Sequence, residues 1–246
     1  MIRTLVTLGA VLWAAQAAAV TCEKLTHEDK RYTICEVDAS EDLRLFLNDE
    51  NGDLLGHFST VNEALEPQGK RLAFAMNAGM YHDDRAPVGH YVEDGQEQMR
   101  VIPNAGPGNF GLLPNGVLCI RETRADVFET LEFVEQAPQC RFATQSGPML
   151  VIDGELHPRF LPDSTSRYIR NGVGTSSDGR RAVFAISEDS VTFHEFGRLF
   201  RDVLEMPNAL FLDGNISRMY ERASNRSDIG FSLGPIVGVV EDVPAN

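Results

Sequence analysis

Four Asp-Gly pairs punctuate this chain, in "VEDGQ", "VIDGE", "SSDGR" and "FLDGN". An Asp-Gly between two apolar runs is a strong short-range hairpin signal, because both central residues of a type I′ turn need positive φ. A chain reversed this often over short distances builds antiparallel sheet. The runs beside these pairs fit: "YTICEV", "LRLFLND" and "RLAFAMNAG" are short, alternating and rich in β-branched or aromatic residues. The pattern predicts hairpins over "PVGHYVEDGQEQM", "PMLVIDGELHP" and "YIRNGVGTSSDGRRAVFAIS", with two more around Asn51-Gly52 and Asn115-Gly116.

Helices are few. "STVNEAL" places Thr60 and Glu63 at the spacing of a capping box. "TFHEFGRLFRDVLEM" carries Phe193, Phe196, Leu199, Phe200, Val203 and Leu204 on one helical face, with Thr192 and Glu195 at capping-box spacing and Pro207 just beyond. "NALFLDGN" and "GFSLGPIVGVVE" complete the strands. Hairpins with a few helices and no regular βαβ alternation predict an α+β fold: a single domain with a mixed, mostly antiparallel sheet.

The first nineteen residues stand apart. Arg3, an apolar run from Leu5 to Ala15, and Ala17 and Ala19 at an A-x-A site predict a cleaved signal peptide, 1–19, ahead of a mature domain, 20–246. Export to the periplasm or the medium, with no stable membrane anchor after cleavage, follows from that expectation. It also explains an even cysteine count: Cys22, Cys35, Cys119 and Cys140 are expected in disulfides. Four cysteines allow three pairings; closeness in sequence favours Cys22–Cys35 and Cys119–Cys140.

The net charge is −14. Such a surface argues against nucleic acid or an anionic membrane as partner, and an anionic substrate needs a local basic pocket. Several chemistries are excluded by motif. The chain has no G-x-S-x-G, no P-loop and no G-x-G-x-x-G, and "HEFGR" is not H-E-x-x-H. The other histidines, His27, His57, His82, His90 and His157, have no ligand-like helical spacing, so no histidine metal site and no organic cofactor is expected. A divalent cation on carboxylates stays open.

What is left is a set of polar, glycine-bearing loops at strand ends: "AMNAGMYHDDRAPVG", "GPGNFGLLPNG", "ATQSGPMLVIDG", "RNGVGTS" and "FLDGN". Strand-end loops on a rigid sheet are where binding residues concentrate. Composition and spacing lead to an exported α+β domain with one polar cleft.

Those segments, in this order, resemble the motifs of the phosphodiester glycosidase family, in its bacterial exported branch, from about Cys35 to about Tyr220. The resemblance implies an α+β domain with the motif loops gathered at one cleft, and hydrolysis of a sugar-1-phosphodiester at the anomeric centre, in a small molecule or an envelope glycan. Carried over by motif, it places Asn77, Gly79, Asn109, Ser146, Gly147, Pro148, Arg170, Asn171, Gly174, Asp213 and Gly214 at the cleft. Where the family often continues its last motif with another glycine and small polar residues, this chain has Asn215, Ile216 and Ser217, a bulkier rim.

Such a reaction needs a group to neutralise phosphate, a carboxylate, and donors for sugar hydroxyls. Arg170 suits the phosphate through its planar fork. Asp213 suits the carboxylate, as base, nucleophile or electrostatic partner of an oxocarbenium-like state. Asp153 is the weaker choice, because "VIDGEL" is fully accounted for as a turn. Asn77, Asn109 and Ser146 would bind hydroxyls or orient water, and His157 and His82 are alternative acids. Two other classes stay open: a glycan-binding or envelope-assembly module without turnover, and a metal-assisted phosphodiesterase using Asp213, Asp83 and Asp84 on Mg²⁺ or Ca²⁺.

Overall fold

A computed structural model describes residues 19–214 and 216–244. The expected signal peptide, apart from Ala19, lies outside the described residues, as does Asn215. The strands form three sheets. The first, in spatial order, holds β1 (Val20–His27), β2 (Lys30–Asp38), β13 (Arg181–Ser187), β12 (Asn171–Thr175), β14 (Asn208–Phe211), β10 (Met149–Ile152) and β11 (Glu155–Leu156). The second holds β16 (Arg226–Ser227), β15 (Met219–Glu221), β4 (Lys70–Asn77), β17 (Ile236–Asp242) and β3 (Asp42–Phe46). The third holds β6 (Gln96–Met99), β5 (Tyr91–Glu93), β9 (Phe142–Ser146), β7 (Gly116–Arg121) and β8 (Arg124–Glu129). The expected α+β class is observed, and the pairings within these sheets are antiparallel.

The sheets share one core. Val173, Phe184 and Leu210 from the first, Leu45, Phe74, Met76 and Val237 from the second, and Leu118, Ile120 and Phe142 from the third pack together. Each sheet's other face is covered by one helix. Phe196 of α3 (Phe193–Arg198) packs on Ile34, Val151, Ala185 and Ala209. Phe58, Val61 and Leu65 of α1 (Phe58–Leu65) pack on Ala75 and Ile236. Phe133 of α2 (Thr130–Gln136) packs on Val92, Val117 and Ala143. Successive strand residues point to opposite faces, so Phe184 and Ile186 enter the shared core while Val183 and Ala185 meet α3. This double burial is why "RAVFAIS" is a nearly continuous apolar run.

Both disulfides form as sequence closeness suggested. Cys22–Cys35 spans directly paired residues of β1 and β2, and Cys119–Cys140 ties β7 to the segment before β9. Closing loops of 13 and 21 residues stabilises the fold by about 3 kcal/mol each in the chain-entropy model.

Three local expectations need correction. The Thr60–Glu63 box does not form: α1 begins at Phe58 with His57 as N-cap and no side-chain cap bond, so Thr60 lies inside the helix. The Thr192–Glu195 box does form, on a helix that widens into π turns over Leu199–Val203. Asn115-Gly116 is not a hairpin turn. Asn115 is buried, donates to the Phe110 carbonyl at 2.8 Å and accepts from the Thr130 hydroxyl at 2.7 Å, while β7 turns back into β8 past Arg121. Around Asn51-Gly52 the hairpin shrinks to a single bridge, Asn48 to Leu54.

The third sheet holds a pH-dependent group. The Tyr91 hydroxyl donates to Glu93 Oε2 at 2.7 Å. Burial pushes the Glu93 carboxyl up to about 7, against the Tyr91 bond, which lowers it, and with a further push from Asp94. A carboxyl raised in the folded state favours folding below its unfolded value, near 4.5, and that contribution is lost as pH rises through 7. Glu93→Gln should therefore gain stability over wild type at pH 8 and not at pH 4. Denaturant midpoints at the two pH values check this; a difference independent of pH would refute it.

Candidate functional site

"FLDGN" is where the chain changes sheets. β14 ends at Phe211 in the first sheet, the chain crosses through Leu212–Arg218, and β15 pairs with β4 in the second. This Asp-Gly is not a hairpin turn like Asp94-Gly95 and Asp153-Gly154, whose φ values are all positive. Gly214 stays outside the left-handed region, and a Cβ there would meet the Phe211 ring at 2.9 Å. The segment after Asp213 forms a short strand, Met219–Glu221, in another sheet.

Strand ends from all three sheets converge on this crossing: Asn77 closes β4, Asn171 opens β12 and Ser146 closes β9, each fully buried. Asn77 Nδ2 donates to the Asp213 carbonyl at 3.0 Å, while its Oδ1 accepts from the Arg218 N–H at 2.9 Å. Asn171 Oδ1 accepts from the Asp213 N–H at 3.1 Å, and its Nδ2 donates to the Asn77 carbonyl at 3.0 Å. The Ser146 hydroxyl donates to the Leu212 carbonyl, and the Ser217 hydroxyl lies 3.0 Å from that of Asp213. A buried irregular crossing has backbone groups that neither sheet can satisfy; these side chains satisfy them. The amides of Asn77 and Asn171 and the Ser146 hydroxyl are thus engaged by the protein, and they position the Asp213 segment.

The glycines let the loops close on one another. A Cβ on Gly79 would lie 2.3 Å from Thr144 Oγ1, and one on Gly147 would lie 2.6 Å from Asn115 Cβ and 3.3 Å from the Asn109 carbonyl. Asn109 itself stands exposed. Gly174 packs on Met206 and Phe200, away from the crossing.

Arg170 and Asn171 are neighbours on opposite faces of a strand. Asn171 enters the polar node; Arg170 turns toward α3. It is 2% exposed, its guanidinium lies 3.6 Å from the centroid of the Phe193 ring, and Nε and Nη2 donate to the Val191 and Ser166 carbonyls at 3.0 and 3.1 Å. Burial lowers its pKa to about 10. The Nε–Nη2 edge of the fork expected to face phosphate therefore holds backbone.

Other charges gather beside Asp213, which is half-buried. Arg218 is 7% exposed, and burial lowers its pKa. Among the described residues no carboxylate lies within ion-pair distance of Arg170 or Arg218. Tyr81 is raised first by burial and next by Asp213, with Arg85 and Arg218 pulling it back. Arg85 lies 5.3 Å above the Tyr81 ring. Tyr81, Arg85, Ser217 and Arg218 are site neighbours that motif matching does not single out. The available signal was position: Tyr81 ends "NAGMY", and Ser217-Arg218 follow the last motif within four residues.

Other candidates lie elsewhere. His157 is buried, stacks on Phe160, and is held toward its neutral form by burial. Among the described residues no group of three or more His, Cys, Asp or Glu side chains is placed to hold a metal ion, so Asp83, Asp84 and Asp213 do not form the cluster the metal-assisted alternative needs.

Replacing Asn171 by Ala would leave the Asp213 N–H and the Asn77 carbonyl without these partners. At about 1–3 kcal/mol for each of the two groups, the loss should be about 2–6 kcal/mol, seen as a lower denaturant midpoint at unchanged slope. A loss below about 0.5 kcal/mol, the range of ordinary surface substitutions, would refute the clamp.

A sequence model of the phosphodiester glycosidase family matches residues 70–239. The uncharacterized protein YigE of Escherichia coli K12 is 34% identical over 181 residues, covering 74% of this chain and 70% of that protein. Among solved structures, the catalytic domain of zebrafish N-acetylglucosamine-1-phosphodiester alpha-N-acetylglucosaminidase, auto-inhibited by its pro-peptide, superposes with a TM-score of 0.59 at 12% identity, over 89% of this chain and 81% of that one. A hypothetical protein from Synechocystis also gives 0.59 at 12% identity, over 90% of this chain and 62% of that one. The shared fold and the family match over most of the chain agree with the motifs: this chain belongs to the phosphodiester glycosidase family.

Proposed function

We propose that the protein is an exported hydrolase that cleaves a sugar-1-phosphodiester at its glycosidic bond. The observation that carries this reading is the pairing of a carboxylate held on a clamped crossing, Asp213, with a neighbouring guanidinium, Arg218, that is buried without a carboxylate in ion-pair distance among the described residues. Burying an unpaired cation costs several kcal/mol. An incoming phosphodiester relieves that cost through charge-assisted hydrogen bonds.

Water adds at the anomeric carbon with Asp213 as base or nucleophile, the bond from that carbon to the bridging oxygen breaks, and the acceptor's phosphate monoester departs. A phosphodiester oxygen leaves as a weak base, so the site does not require the strong general acid of an ordinary glycosidase. Asn77, Asn171 and Ser146 act through position: they fix Asp213. Arg170 braces the start of β12 against the Ser166 and Val191 carbonyls. The zebrafish neighbour's name specifies an N-acetylglucosamine-1-phosphodiester, which makes that sugar the first to test. The departure of this sequence from the family's last motif at positions 215–217 argues for trying others beside it. Two disulfides favour an oxidising compartment, in line with periplasmic or secreted placement.

Purified protein assayed on a panel of sugar-1-phosphodiesters tests the proposal. Asp213→Asn should lower kcat by about 100- to 10,000-fold, the range for a group taking part in the chemical step, in a variant that circular dichroism shows to be folded. Equal rates in the variant would remove Asp213 from the mechanism. Binding of diesters without turnover of any would turn the assignment to a glycan-binding module.

A further inference from the structure

The segment between β16 and β17, residues 228–235, lies as a strap across Arg218 and Tyr81. Arg218 Nη2 donates to the Phe231 carbonyl, and the Tyr81 hydroxyl reaches the next carbonyl, Ser232, at 3.5 Å. Adjacent carbonyls thus bring the guanidinium and the phenol side by side. The strap is shaped to both. A Cβ on Gly230 would lie 3.1 Å from Arg218 Nη1, and one on Gly234 would lie 2.5 Å from the Tyr81 ring. Leu233, fully buried, anchors it to the core under α1, and its N–H donates to the Gly56 carbonyl at 2.8 Å.

Arg218 is also tied to Asp213. One amide holds both: Asn77 Nδ2 takes the Asp213 carbonyl and Asn77 Oδ1 takes the Arg218 N–H. The nearby Asp228 makes no ion pair with Arg218 and offsets its burial only in part, because its carboxylate is engaged by Arg226 at 2.9 Å and by the Met219 N–H at 3.0 Å. On the face of Tyr81 sits a second cation. Arg85 has a positive φ of 74°, donates Nη1 to the Asp83 carbonyl at 2.7 Å, and keeps a buried Nε with no hydrogen-bond partner. A bulky residue in the left-handed region is uncommon and is retained where surroundings hold it there. A buried N–H donor without an acceptor costs free energy that an anion would return.

We propose that Arg218, placed beside Tyr81 by the strap, and Arg85, lying over the Tyr81 ring, form the phosphate subsite, the role that the motifs assign to Arg170. The proposal rests on the sugar-1-phosphodiester reading and goes further, by naming the arms that take the two non-bridging phosphate oxygens. Arg218 is fixed by the strap and by Asn77, so its free edge has a set position relative to Asp213. Arg85 is held by its turn and by the Tyr81 face. Tyr81 separates the arginines and offers a hydroxyl to the same anion.

Inorganic phosphate binding, measured by calorimetry on the whole mature protein, reads the subsite without turnover. Steady-state kinetics on the best diester reads it in the reaction. Arg218→Gln and Arg85→Gln should each weaken phosphate binding and raise KM by about tenfold or more, the loss of one charge-assisted hydrogen bond. Arg218→Lys should recover part of the affinity, since a point charge remains without the fork. Arg201→Gln, on the surface in a pair with Asp202, should change neither. If Arg218→Gln fails to fold, Arg85→Gln and Arg218→Lys carry the test. Phosphate affinity and KM within twofold of wild type in the folded variants, or no phosphate binding by wild type, would overturn the subsite. The two readings fail separately. A wild type that cleaves diesters with Arg218 and Arg85 dispensable keeps the hydrolase and loses the subsite; one that binds phosphate through both arginines but cleaves no diester does the reverse.

Discussion

One buried amide holds the two ends of the crossing together. Asn77 Nδ2 holds the carbonyl of Asp213, and its Oδ1 holds the N–H of Arg218. Between these residues the chain leaves the first sheet and joins the second, so neither ladder can supply its hydrogen bonds. An unsatisfied backbone group at this depth costs more than a typical bond contributes. The polar node is therefore a condition for the crossing to exist. The same bonds fix where an acid and a cation stand, so the fold's need and the site's geometry are met by one interaction.

The three-sheet arrangement explains why the node sits where it does. Each sheet buries one face in the shared core and packs a helix on the other, so its central strands are apolar on both sides. Polar side chains collect at strand ends. Asn77, Ser146 and Asn171 are the last residue of β4, the last of β9 and the first of β12, and the glycines beside them let these ends touch. A rigid scaffold with its chemistry at strand termini holds a site more firmly than loops alone.

What was legible in the sequence was what is decided locally. Asp94-Gly95 and Asp153-Gly154 are turns because the φ preference of two residues settles the matter. The Thr192–Glu195 box formed and the Thr60–Glu63 box did not, although their spacing is identical, because Phe58 and Val61 must reach the core and pull the start of α1 three residues earlier. Asn115-Gly116 carries the signature of a turn, yet its amide is taken up by Phe110 and Thr130, contacts that no local pattern encodes. The motifs picked out strand ends that the fold does bring together: Asn77, Ser146 and Asn171 meet at the crossing. They could not say which way a side chain leaves its strand, and so Arg170, one residue from Asn171, ends among aromatic rings while Arg218 joins the node. Arg218 precedes a strand of three residues in a different sheet from the strand before it, a long-range fact invisible to periodicity.

The charge of the chain sharpens the contrast. At −14 overall, the protein repels anions at a distance, yet Arg170 and Arg218 are buried without a carboxylate in ion-pair distance among the described residues. The two facts act over different ranges. Surface carboxylates are screened beyond about 8 Å at physiological ionic strength, whereas a guanidinium removed from water acts through a weaker dielectric and is felt strongly at contact. A phosphodiester carries a single negative charge, so its approach through a screened field costs little and its arrival beside a desolvated arginine is favourable. A polyanion would meet the acidic surface along its whole length. The same distribution of charge argues against nucleic acid as a partner and is compatible with the small, singly charged diester of the proposed function.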